Sequence, residues 1–178
     1  MALTKVIGSG LGAIPAISGA NLTGLTDSQM PAGSVLQVVQ ATTATAVSQT
    51  ATAFADTGLT AAITPSSTSN KIFIIVNQAV RLQRSTYFAS GSLKLLRGST
   101  FLHPSAEGTA KHYPSMETPQ GTGAVNFYNY MNLNYLDSPS STSELTYKTQ
   151  QASNSSSDLI ATQVGSSASS IILMEIAG

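Results

Sequence analysis

The alternation of apolar and polar positions changes character about one sixth of the way along this 178-residue chain. Over residues 1–30 neither a helical nor a strand period survives. Gly8, Gly10, Gly12, Pro15, Gly19 and Gly24 punctuate a run of Ile, Leu and Ala that carries almost no charge. A segment so apolar and small-sided gains little by folding alone. It is expected to be an extended arm, buried against sister copies or a docking partner, with a loose leader as the simpler alternative. Ile7, Leu11, Ile14 and Ile17 are its candidate anchoring side chains, and the glycines let another backbone come close.

From Gly33 onward, short apolar-rich stretches alternate with turn residues, as in a sandwich or barrel. Residues 34–40 predict a first strand. Asp56-Thr57-Gly58 reads as a turn, followed by a strand over 59–64 and a polar loop over 65–70. Residues 71–83 are the strongest strand, with Ile72, Ile74, Val76, Val80 and Leu82 on one face and Phe73, Ile75 and Ala79 on the other. A strand apolar on both faces must be covered on both. Phe73, Ile74, Ile75 and Val76 are therefore candidates for core packing, subunit packing, or both.

Residues 92–97 and 100–103 flank Gly98-Ser99, a hairpin signal. Residues 124–136 form a long aromatic strand, with Val125, Phe127, Met131, Leu133 and Tyr135 on one face and Tyr128 and Tyr130 on the other. Phe127 is assigned to the core; the tyrosines fit either packing or stacking on sugars. Strands over 144–151 and 171–176 complete an all-β sandwich of about eight strands, with no convincing helix and no solenoid repeat. The expected organisation is an arm over residues 1–32 and a β-sandwich domain over residues 33–178.

Composition narrows the functions open to such a domain. Charged residues make up only 9% of the chain and roughly a quarter of it is Ser or Thr, so hydroxyls and amides must cover much of the surface. The formal net charge of zero removes the electrostatic route to nucleic acid and leaves little to hold copies apart. No apolar run is long enough for membrane insertion, and the N-terminus makes a poor signal peptide. The absence of Cys excludes disulfides and thiolate metal sites.

Candidate chemistry is thin. Gly8-Ser-Gly10-Leu-Gly12-Ala13 mimics a dinucleotide fingerprint, but Pro15 follows where a helix should begin. His103, Glu107, His112 and Glu117 could contribute to a metal site, yet their spacing is irregular and two solvated histidines explain them as well. No nucleophile elbow and no distinctive carboxylate pair is present. The sequence predicts neither an enzyme nor a cofactor. The aperiodic stretch over 103–123 gathers His103, Glu107, Lys111, His112, Tyr113, Met116 and Glu117, a mixture suited to a recognition loop, or to one that merely caps the sandwich.

Several stretches carry a family likeness. Gly33-Ser-Val-Leu-Gln-Val-Val-Gln40, Tyr135-Leu-Asp-Ser-Pro139 leading to Leu145-Thr-Tyr-Lys148, and Ile171-Ile-Leu-Met-Glu-Ile176 resemble tail-fibre and appendage proteins of tailed bacteriophages, particularly those of cyanobacteria and marine bacteria. Asp56-Thr-Gly-Leu59, Ile63-Thr-Pro-Ser66 and Ile17-Ser-Gly-Ala-Asn-Leu-Thr-Gly-Leu25 are similar to the same group. The resemblance implies a jelly-roll-type domain, a homotrimer, a place in the virion after assembly in the host cytoplasm, and a mechanical or adhesive role without catalysis. The partners it implies are tail hub, baseplate or capsid proteins and a host surface glycan or protein. A capsid decoration (cement) protein is the main alternative, and a polysaccharide-degrading enzyme a more distant one.

Overall fold

The computed structural model describes residues 29–84, 89–103 and 125–178. Among them the strands follow in the order β1 (Val35–Thr43), β2 (Val47–Gln49), β3 (Ala55–Ile63), β4 (Lys71–Arg84), β5 (Gly91–Arg97), β6 (Thr100–His103), β7 (Val125–Asp137), β8 (Leu145–Ser153), β9 (Leu159–Thr162) and β10 (Ser169–Ile176). A 3-10 turn, Val164–Ser166, lies between β9 and β10. Every strand pair is antiparallel.

One sheet runs β1-β10-β4-β7; β9 and then β2 continue it beside the second half of β4, beyond the reach of β10. The other runs β3-β8-β5-β6. With the short β2 and β9 set aside, eight principal strands remain. They pair first with last (β1 with β10), second with seventh (β3 with β8), third with sixth (β4 with β7) and fourth with fifth (β5 with β6). Such nested pairing is that of one long antiparallel ribbon rolled around a core, a jelly roll. The expectation of an all-β sandwich of this type holds.

Strand β4 explains why the ribbon closes. Its inward positions Ile72, Ile74, Val76, Val80 and Leu82 are all buried, as their period of two requires. The first three meet Leu59 and Ile63 from β3, Leu95 from β5, Tyr147 from β8 and Ile171 and Leu173 from β10. The last two meet Leu93 and Ile160 in a second cluster. Between the clusters the same inward row places Gln78, which is fully buried. Its amide donates to Ser169 Oγ at 2.9 Å and accepts from Thr149 Oγ1 at 2.8 Å, while Thr149 also meets Thr57 Oγ1 at 2.5 Å. A polar belt thus crosses from one sheet to the other with the Gln78 amide satisfied at both ends.

The structure corrects several boundaries. Asp56-Thr57-Gly58 is no turn: it lies within β3, where Gly58 takes φ +82° and the register with β8 slips between Asp56 and Thr60. A bulge absorbs the glycine without ending the strand. Strands β2 and β9 went unpredicted because each is too short to show a period. Gly91, at the start of β5, marks a close approach, since a Cβ there would sit 2.6 Å from Ile160 Cδ1 and 2.9 Å from Leu82 Cδ2.

Two substitutions test this core. Gln78→Leu should lower unfolding free energy by about 1–3 kcal/mol, because it takes one hydrogen-bond partner from each of the buried Thr149 and Ser169 hydroxyls and breaks the belt between the sheets. Ile74→Ala should cost about 2–5 kcal/mol through a cavity. Urea titrations of both variants, against an Ala62→Ser control on an exposed strand position, provide the measurement.

Candidate functional site

Among the described residues, the outer face of the larger sheet is where large apolar side chains stand exposed. Register fixes its layout in rows. Leu136, Phe73, Met174 and Val38 lie side by side across β7, β4, β10 and β1. The next row is Asn134, Ile75, Ile172 and Gln40, and beyond it come Asn132, Asn77, Ser170 and Thr42. Val35, Val38 and Leu136 are 50%, 57% and 49% exposed, unusual values for large aliphatic side chains in regular strands. Phe73, Ile75, Ile172 and Met174 are half-buried between them. One half of the face is therefore a continuous apolar patch and its middle a row of amides and hydroxyls.

The other half of the same face has a different chemistry. Tyr130 lies opposite Ala79, and Tyr128 opposite Arg81. Both tyrosines are exposed, at 49% and 60%. A cleft of about 210 Å³ is lined by Arg81, Tyr128, Asn129 and Tyr130 from the sheet and by Val164 and Ser167 from the turn after β9. That turn holds Gln163 and Ser166 in left-handed conformations, at φ 56° and 63°, which non-glycine residues adopt at a cost. The Gln163 amide, 3.0 Å from Ser169 Oγ, anchors the turn to the polar belt of the core.

Charged groups elsewhere fasten the ends of the sandwich. The Glu175 carboxylate, nearly fully buried, accepts from Ser66 N and Oγ at 2.7 Å, Asn70 Nδ2 at 2.6 Å and Gln37 Nε2 at 2.6 Å. Burial pushes its pKa up, but the donors from Asn70, Ser66 and Gln37 outweigh burial and hold it below the ordinary value. Asp137, at the end of β7, pairs with Arg97 of β5 and accepts from Tyr147 of β8, a latch joining the two sheets. Burial, reinforced by the Asp137 carboxylate, raises the Tyr147 pKa and keeps the phenol a donor. Asp158 accepts from Ser90 N at 3.1 Å and lies 3.3 Å from Arg84 Nη1.

The predicted site residues fare unevenly. Ile74 and Val76 are core, whereas Phe73 and Ile75 point to the outer face, so the strand is apolar on both sides as expected. His103 ends β6, its ring centroid 5.9 Å from that of Tyr135. Glu107, Lys111, His112, Tyr113, Met116 and Glu117 lie outside the described residues, as do Ile7, Leu11, Ile14 and Ile17 of the arm. Val38, Leu136, Ile172, Met174 and Arg81 were not singled out from the sequence. Among the described residues no three His, Asp or Glu side chains group to hold a metal ion, and no helix is long and apolar enough to cross a membrane.

No family model and no curated protein matches the chain. Among solved structures it is similar to the infectious bursal disease virus VP2 subviral particle, at 14% identity and a TM-score of 0.39. That likeness covers 80% of this chain and 33% of the other, so this chain spans about a third of the protein it matches.

The Glu175 cage has a pH signature. A carboxyl whose folded pKa is depressed contributes stability that is complete above its unfolded value, near 4.5, and lost as pH falls through the lower folded value. The melting temperature of the native protein should fall more steeply on acidification below about pH 5 than that of Glu175→Gln. Parallel slopes in thermal melts of the two proteins would show that the cage contributes nothing.

Proposed function

We propose that this chain is a structural subunit of a tailed-bacteriophage virion, a tail-fibre or tail-appendage component that assembles as a homotrimer and contributes to attachment. The observation that carries this reading is the apolar row Leu136, Phe73, Met174 and Val38, which no described segment covers. Contiguous apolar surface of this kind marks a contact between chains. A second copy is the occupant proposed, because the patch is almost free of charge and the chain carries no net charge to oppose self-association. The jelly-roll domain and the sequence resemblance support placing such a contact in a virion appendage, where the job is mechanical and needs no catalytic group.

The neighbouring virion component and the host surface would be met elsewhere on the subunit, the first by the arm over residues 1–32. Copy number per particle separates an appendage from a capsid decoration: tens or fewer for the former, hundreds for the latter.

Sedimentation of the full chain at micromolar concentrations should give the mass of a trimer. The double variant Val38→Lys and Leu136→Lys places two buried charges in each contact and should sediment as a folded monomer. A native protein that stays monomeric throughout would refute the reading.

A further inference from the structure

The tyrosine end of the outer face has features that subunit packing does not require. Two exposed aromatic rings project from alternate positions of one strand, so their ring faces are available side by side. Between them and the strained turn lies a cleft rather than a flat sheet. Arg81 lines it, yet its buried Nε has no hydrogen-bond partner and no carboxylate pairs with it among the described residues. In a protein with only eight basic residues, a half-buried cation lining a cleft is positioned to meet an anion there.

We propose that this cleft binds a carboxylate-bearing pyranose residue of a glycan. The C–H face of a sugar ring packs on Tyr128 or Tyr130, whose phenol tips remain able to hydrogen-bond hydroxyls. Arg81 takes the carboxylate through charge-assisted hydrogen bonds, and the Asn129 lining supplies further polar contact. A bare phosphate or sulfate would leave both aromatic rings unused. A neutral sugar would leave the guanidinium unmatched. The strained turn fits this role, since backbone held in an unfavourable conformation by surrounding bonds shapes a wall without needing to close on the ligand. The inference stands on the cleft alone and holds whether or not the chain is a virion trimer.

The test uses the full chain and two charged probes, trigalacturonic acid and 3′-sialyllactose, against the neutral galactotriose and lactose. Titration calorimetry reports affinity, and tyrosine emission gives a second reading because the chain contains no Trp. At least one charged probe should bind saturably and more tightly than its neutral counterpart. Arg81→Met should weaken that binding by about tenfold and abolish the preference for charge. Tyr128→Ala, at a position exposed enough to leave the core intact, should weaken charged and neutral sugars alike by about fivefold or more. Absence of saturable binding by either charged probe at millimolar concentration would overturn the proposal. So would affinity that is unchanged in Tyr128→Ala. A Tyr128→Ala protein whose sedimenting mass drops from trimer to monomer would also overturn it, by assigning the tyrosines to a subunit contact.

Discussion

The domain depends on what β4 is made to satisfy. Its fourteen residues are bonded by β7 along one edge and by β10 and then β9 along the other, so no other strand holds as many neighbours in place. Inward, it supplies both apolar clusters and the one amide that separates them. Two sheets packed only through aliphatic side chains could slide by a residue pair at modest cost. The belt of Gln78, Thr149 and Ser169 cannot, because any slip leaves buried polar groups without partners. The Glu175 cage and the Asp137 latch do the same work nearer the ends.

Facing outward, the same strand divides one surface into three chemistries. Phe73 and Ile75 continue an apolar patch, Asn77 sits in an amide and hydroxyl row, and Arg81 joins the tyrosines. A protein so poor in charge cannot rely on Lys and Glu to keep apolar patches apart, and covering the patch with a second copy is the physically simplest outcome. The tyrosine end, aromatic and basic, is suited to a ligand rather than to a copy of itself. Self-assembly at one end of the face and ligand binding at the other would leave each free to operate with the other occupied.

Much of the fold was legible because strand periodicity is strong where both faces of a strand are committed. Residues 71–83 and 124–136 declared their faces in sequence, and Gly98-Ser99 declared its hairpin. Short strands such as β2 and β9 have too few residues to show a period, and Gly58 misled because a bulge and a turn use the same residue type. The candidate site was harder. Val38 and Leu136 are ordinary alternating residues in sequence; only cross-strand register, set by contacts distant along the chain, brings them into one row. Arg81 likewise acquires meaning only through the turn at Val164–Ser166, more than eighty positions away.

The apolar half of this face is proposed to meet another copy of the chain. A photo-reactive benzoyl-phenylalanine placed at Val38, and in a control at the exposed Ala62 on the outer face of the opposite sheet, tests it most directly. Irradiation of the full-length protein should give chain-to-chain adducts from position 38, mapping by mass spectrometry to β1, β4, β7 or β10, and none from position 62. Adducts from position 62 alone, or none from position 38, would contradict it.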